Sequence, residues 1–304
     1  MDIYGIDPNE VGTDAVITYV NCEDTLWRQD YIDAFGEDID TSYERGITRY
    51  RDLGTLELCI KSIRMFAKWI DNIYLVVSRE SQVPEFIKDY GVSVIYHRDF
   101  IPQEYLPIFN SSSIDLFLPL LPGLKERFVF FNDDMILTSK TCRGTFFTKE
   151  SWPRIGVQLR DLAERRNREF VAGKNAYNIV LEVDQDKREV FPQHCPSPFR
   201  LSWIKECYER YNPQILSTVS KLGRSPKSCN QYVYIFYQMI HKRIYNYEIA
   251  GKSFYSNYNL FDIKNLPKYR WICLNDSDLT DRGVVEGAVK QVKEYLDNLS
   301  PLLL

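Results

Sequence analysis

The chain has 304 residues, is 44% hydrophobic and 14% aromatic, and carries a formal net charge of −4, so it can bury a large core in one elaborated domain or two closely packed ones. The acidic balance argues against a nucleic-acid protein, which needs a basic stripe, and no run approaches the roughly 18 to 20 apolar residues of a membrane span. Seven cysteines, at 22, 59, 142, 195, 207, 229 and 273, show no CxxC or zinc-ligand spacing and read as small, reduced core residues. The opening MDIYGIDPNE lacks the basic and apolar regions of a signal peptide, which predicts a cytoplasmic location, with a peripheral one at the inner membrane face as the variant.

In chain order, strand-like apolar runs at 14–20, 72–77, 92–97 and 127–132 alternate with helical patterns at about 24–35, 55–68 and 112–121. That alternation predicts βαβ units and an α/β, Rossmann-like, mostly parallel sheet over residues 1–150. From 151 to 304 the pattern turns mainly helical, near 154–169, 199–211, 213–222, 229–243 and 284–298, with the aromatic stretch 245–260 reading as a hairpin. Arg160, Arg165, Arg166 and Arg168 interleave with acidic residues as on a solvated helix face.

The most informative run is RFVFFNDDM at 127–135, an apolar strand that stops on Asn132, Asp133 and Asp134. Ligands of open α/β sheets bind at the carboxyl ends of the strands, so carboxylates there are candidate metal ligands. A second apolar run, Trp271 to Leu274, ends in Asn275 and Asp276, and the two ends can meet around one cation. The first strand leaves Tyr19, Val20, Asn21 and Asp24 where this architecture holds a nucleotide base and ribose. Arg49 and Asp52 precede the helix that carries Arg64, and arginine at a sheet's ligand edge suits phosphate through bidentate hydrogen bonds. Asn110 and Ser111 open another helix, as a cap or as a cradle for an anion or sugar hydroxyl. Of the three histidines, His241 and His97 read as structural, whereas His194 sits in the stiff loop FPQHCPSP and reads as functional.

Taken together, DAVITYVNCEDTLW, RYRDLGTLELCIKSIRMFAKWIDNIYLVV, VIYHRDFIP with LPIFNSSSID, LPGLKERFVFFNDDM, the loop HCPSP and WICLNDSD resemble the ordered blocks of the Stealth family. That family comprises bacterial capsule and exopolysaccharide sugar-1-phosphate transferases, similar in their core to the animal lysosomal-enzyme N-acetylglucosamine-1-phosphotransferase. The resemblance fits a GT-A-like version of the sheet. It implies transfer of a hexose-1-phosphate from a UDP-sugar, a UDP-hexose or UDP-N-acetylhexosamine, to a glycan hydroxyl, lipid-linked acceptors included, with release of UMP.

Such chemistry calls for Mg²⁺ or Mn²⁺, cationic side chains and a base. The implied metal ligands are Asp133 or Asp134 with Asp276 and Asn275, one aspartate of the pair serving as metal ligand and the other as base. His194 matches the family's functional histidine and Arg224 its downstream arginine, although Asn230 and Gln231 stand where relatives often have acidic residues. Arg49 and Asp52 also match, with Leu53 where relatives frequently carry Asn. Acceptor recognition is expected from 140–190 and 243–262, with Tyr245, Tyr247, Phe254, Tyr255 and Tyr258 as candidate stacking residues.

Overall fold

The structure, a computed structural model, describes residues 12–39, 46–160, 168–181, 189–247, 253–257, 263–275 and 282–303. The first half runs β1 (Asp14–Thr18), α1 (Thr25–Phe35), α2 (Thr55–Phe66), β2 (Ile73–Val77), β3 (Val92–Tyr96), α3 (Ser111–Ile114) continued as a 3₁₀ turn, β4 (Arg127–Asn132), β5 (Met135–Leu137) and α4 (Arg143–Phe146). The second half runs β6 (Arg154–Arg160), α5 (Arg168–Leu181), β7 (Glu189–Pro192), β8 (Ser197–Arg200), α6 (Leu201–Arg210), α7 (Asn212–Ser217) and α8 (Tyr232–Ile240). It ends with β9 (Tyr245–Tyr247), β10 (Ser253–Asn257), β11 (Trp271–Asn275) and α9 (Arg282–Leu303). Among the described residues no helix is long and apolar enough to cross a membrane.

The central sheet has the order β3-β2-β1-β4-β8, parallel except for β8, which runs antiparallel beside β4. This is the mixed α/β, mostly parallel sheet that the alternating pattern predicts. Its middle strands are buried on both faces, and alternate residues feed alternate cores. Ala15, Ile17, Val129 and Phe131 join the core built with α2, β11 and α9, whereas Val16, Phe128 and Phe130 join the one built with α5, α6 and α8. Helix α2 buries the face expected of it, with Leu56, Cys59, Ile60 and Ile63 essentially inaccessible. The two smaller sheets have the orders β10-β11-β5 and β7-β6-β9.

The departures lie in the second half. Residues 154–160 form strand β6 instead of the start of a helix, and Arg160 ends it; residues 161–167, including Arg165 and Arg166, lie outside those described, and α5 begins at Arg168. Ile155 and Leu159 suit a helical face, but Ile155, Val157 and Leu159 also alternate, and pairing with β7 and β9 selects the strand. The stretch 245–260 is not a hairpin: β9 pairs with β6 and β10 with β11, each a partner distant in sequence. The helix expected from 199 starts at 201, because Ser197–Arg200 closes the edge of the central sheet, where Pro198 is tolerated. Six cysteines are buried as expected, while Cys142 is exposed.

Strand β8 is held in place by Glu126, just before β4. Its carboxylate accepts from Arg200 Nε (2.7 Å), from Ser202 Oγ (2.6 Å) and from the Ser202 amide (3.1 Å), and so also caps the start of α6. This clamp fixes the segment that begins just after His194 against the strand that ends in Asp133 and Asp134.

Candidate active site

The register of the central sheet aligns Thr18 of β1 with Val76 of β2 and with Asn132 of β4. Tyr19, Val20, Ser78, Asp133 and Asp134 therefore emerge together at the carboxyl edge, and all five line one cavity. Thr48–Arg51 and Leu53 of one turn, the segment Ile108–Ser111, the pair Gly223–Arg224 and Leu274 complete its walls.

One wall is aromatic. Trp27 lies 5.2 Å from Tyr50 and 5.4 Å from Phe109, centroid to centroid, and the Cys22 amide donates to the Tyr50 carbonyl (2.8 Å) to hold that turn against α1. Another wall is cationic, with Arg49 and Arg51 from the turn and Arg224 from across the cleft. A planar apolar surface beside guanidinium groups is the combination that a nucleotide diphosphate requires.

Asp52 braces this edge. It accepts from Tyr19 Oη (2.8 Å) and from the Gly54 amide (2.7 Å), and Gly54 takes the left-handed conformation (φ 76°) that starts α2. Burial, with Asp52 beside it, holds the Tyr19 hydroxyl far above its usual range, so Tyr19 is the proton donor of that pair. Asn110 caps α3, and its amide donates to Ser113 Oγ (3.0 Å) and to the Gly223 carbonyl (3.1 Å). The Phe109 amide donates to the Lys221 carbonyl (2.8 Å), and these links bring Arg224 Nη2 within 3.4 Å of Ser111 Oγ.

Asp133 and Asp134 are both half-buried at the tip of β4. Burial, then the neighbouring charges of Asp134 and Asp52, push the Asp133 carboxyl well above the usual carboxylate range. Clustered carboxylates held at such a cost are stabilised by a cation, and one or two carboxylates completed by substrate phosphates and water is the pattern magnesium favours. The pair therefore fits Mg²⁺ or Mn²⁺. Asn275 ends β11, but its side chain and the whole of Asp276, the ligands expected from that strand end, lie outside the described residues.

A second cavity adjoins the first and shares Thr18, Ser111, Asn132 and Arg224 with it. Its further lining includes His194, Asp115, Ser225, Ser228, Asn230 and Gln231. His194 reaches this place because the Gln193 amide donates to the Gly156 carbonyl (2.9 Å) on one side of the loop and β8 pairs with β4 on the other. The Leu274 amide donates to the Asp134 carbonyl (3.0 Å), and Cys273 pairs in register with Met135. As a result Asp134, His194 and Cys273 converge, each offering a ligand atom within 4.8 Å of the others.

Several residues singled out in the sequence are placed elsewhere. Arg64 donates to the carbonyls of Tyr90 (3.0 Å), Gly91 (2.9 Å) and Asp71 (3.4 Å). Asp71 precedes β2, so Arg64 sits at the far end of that strand from the cleft, where the last turn of α2 delivers it. Asn21 and Asp24 do not line either cavity. Gln82 Nε2 donates to the Asn21 carbonyl and to the Asp24 carboxylate, both at 2.8 Å, and Asp24 caps α1, so they shape the loop behind the aromatic wall. His97 lines the first cavity, and burial pulls its imidazole down to about 4, leaving it neutral. The stacking residues expected at 245–258 fall where the side chains, or for Tyr258 the whole residue, lie outside those described.

Asp115 was not singled out in the sequence. It is 7% exposed, and burial pushes its carboxyl from 3.8 up to about 8 against the opposing charge of Arg224. Between those values the folded chain keeps a proton on Asp115 that the unfolded chain has released, so the contribution of Asp115 to stability is fullest below pH 3.8 and falls as pH rises towards about 8. Asp115→Asn is expected to flatten that slope in thermal melts taken from pH 4.5 to 8. An unchanged slope in the variant would show that Asp115 does not carry it.

The family model described as Stealth protein CR2, conserved region 2, matches residues 49–155. Over nearly its whole length the chain is also 25% identical to the receptor polysaccharide phosphotransferase WefC of Streptococcus oralis, covering 86% of this chain and 90% of that one. The capsular polysaccharide phosphotransferase WcwK of Streptococcus pneumoniae is 23% identical over 95% of this chain and 97% of its own. The chain thus carries conserved region 2 of the Stealth proteins and is similar over most of its length to polysaccharide phosphotransferases. The matched Stealth region carries Arg49, Asp52, Asn110, Ser111, Asp133 and Asp134; beyond it, Arg224 lines both cavities, His194 lines the second, and Cys273 approaches Asp134 and His194 from the buried strand β11. Among solved structures, galactosyltransferase LgtC in complex with donor and acceptor sugar analogues is similar at 8% identity and TM-score 0.47, covering 94% of this chain and 95% of that one.

Proposed function

We propose that this protein is a Stealth-family enzyme that transfers hexose-1-phosphate from a UDP-sugar to a hydroxyl of a glycan acceptor, forming a phosphodiester and releasing UMP in capsular or exopolysaccharide synthesis. The observation that carries the reading is the pairing of two unlike cavities across one carboxylate tip. The first, aromatic and arginine-lined, suits the uridine and diphosphate of a donor. The second is lined by serines, Asn230 and Gln231, with a carboxyl at Asp115 held largely protonated, and suits the neutral hydroxyls of a sugar acceptor. Relatives named as polysaccharide phosphotransferases support transfer at phosphorus.

In this reading Arg49, Arg51 and Arg224 bind and orient the diphosphate. Asp133 and Asp134 would hold Mg²⁺ or Mn²⁺, which when bound supplies neutralisation of phosphate charge. His194, which lines the second cavity and lies near Asp134, would take the proton of the attacking hydroxyl in place of the aspartate base expected from the sequence. The new bond joins the acceptor oxygen to the sugar-bearing phosphorus, the phosphorus–oxygen bond to the uridylate breaks, and UMP leaves with the electron pair.

With a UDP-sugar and a glycan acceptor, chromatography should show UMP as the nucleotide product, and UDP in its place would reassign the protein to glycosyl transfer. Excess chelator should abolish turnover, with Mg²⁺ or Mn²⁺ restoring it. Full activity in chelator would remove the metal from this account.

A further inference from the structure

Asp134, His194 and Cys273 offer a carboxylate oxygen, an imidazole nitrogen and a thiol sulfur within 4.8 Å of one another. Magnesium takes oxygen ligands, whereas oxygen, nitrogen and sulfur together are the donors of zinc and its borderline-soft neighbours. We propose that these side chains form a three-ligand site for a zinc-class divalent ion, overlapping the Asp133–Asp134 pair at Asp134 but differing from it in ligand chemistry.

The ligands come from segments that the fold fixes independently. Cys273 lies inside β11, buried at 2% exposure, and the hydrogen bond from the Leu274 amide to the Asp134 carbonyl (3.0 Å) ties that strand to the residue carrying the carboxylate. His194 sits between Pro192 and Pro196 in a loop further closed by Ser197 Oγ donating to the Cys195 carbonyl (3.1 Å). Ligand atoms around tetrahedral zinc stand roughly 3.5 Å apart, so closing the set needs about 1 Å of side-chain movement. Asp134 also lines the first cavity, which leaves a fourth position open to water or a phosphate oxygen, as in other three-ligand zinc sites.

The consequence for activity rests on the function proposed above. An ion held by this set engages Asp134 and His194 together, so zinc should inhibit the magnesium-supported reaction even when magnesium is in large excess.

Binding is tested on the whole chain without any donor sugar, so failure of this site and failure of the transferase reading are separable. Cobalt(II) serves as the optical probe and zinc as the competitor. The wild-type protein is expected to take up one cobalt with the intense visible bands of tetrahedral geometry and a thiolate-to-cobalt charge-transfer band in the near ultraviolet, both bleached by one equivalent of zinc. Cys273→Ser, nearly isosteric, should lose the charge-transfer band and bind zinc at least about tenfold more weakly. His194→Ala should keep the thiolate band and also lose at least about tenfold in zinc affinity, and it decides the matter if the Cys273 variant does not fold. Zinc should raise the melting temperature of the wild-type chain where magnesium at equal concentration does not. A wild-type cobalt adduct without a thiolate band, a band that survives in Cys273→Ser, or zinc affinity unchanged in His194→Ala would overturn the proposal.

Discussion

Asp133→Ala and Asp134→Ala each lower donor turnover on the order of 10³-fold or more while the chain stays folded, the size expected when a group that stabilises charge in the transition state is removed. The register of β4 against β1 delivers both carboxylates to the arginine-lined cavity, and under the proposed reading an alanine at either position would leave the diphosphate facing a depleted metal site. Stability should not fall with activity. Burial and the neighbouring carboxylates oppose ionisation of Asp133, so replacing it relieves a repulsion. The check is kcat from UMP release beside a thermal melt for each variant. Near-normal turnover in a folded variant would remove that residue from the mechanism, and a melt lowered in step with activity would make it structural.

His194→Ala is expected to lower kcat by roughly 10²- to 10⁴-fold, the usual contribution of a positioned acid or base, while donor affinity changes little. The reason is its position. His194 lines the second cavity, not the first, so the donor binds largely without it, and its contribution appears once the acceptor hydroxyl is attacking. His194→Gln keeps a neutral hydrogen-bond donor at that place. If hydrogen bonding to the transferring phosphate dominates, Gln recovers part of the loss; if the ring takes a proton, Gln recovers little. Donor binding is measured by calorimetry with metal present, so that the rate effect is read separately. Unchanged turnover with a weaker fold would return His194 to a purely structural role.

Much of the first half was legible because its strands are buried on both faces and its helices on one. Continuous apolar runs bounded by polar ends, as at 72–77 and 127–132, have few alternative readings, and Asp133 and Asp134 at the end of the second run marked the cleft. The second half was harder because its strands depend on distant partners. Residues 154–160 carry a pattern that suits helix or strand, and only β7 and β9 decide between them. Arg64 looked well placed on a helix entering the sheet, but its position in the last turn of α2 delivers it to the opposite end of β2. Cys273 was read as core, which its burial fits. Its approach to Asp134 and His194 follows from the antiparallel pairing of β11 with β5 and from the clamp on β8, neither of which has a local signal.

Transfer at phosphorus is tested most directly with a UDP-sugar carrying ¹⁸O at the anomeric oxygen, the product phosphorus being followed by nuclear magnetic resonance. The account predicts that the sugar keeps its anomeric configuration, that the label enters the new phosphodiester with the sugar, and that the released nucleotide is unlabelled UMP. Labelled UDP, with the acceptor joined to the sugar through its own oxygen at the anomeric carbon, would contradict it.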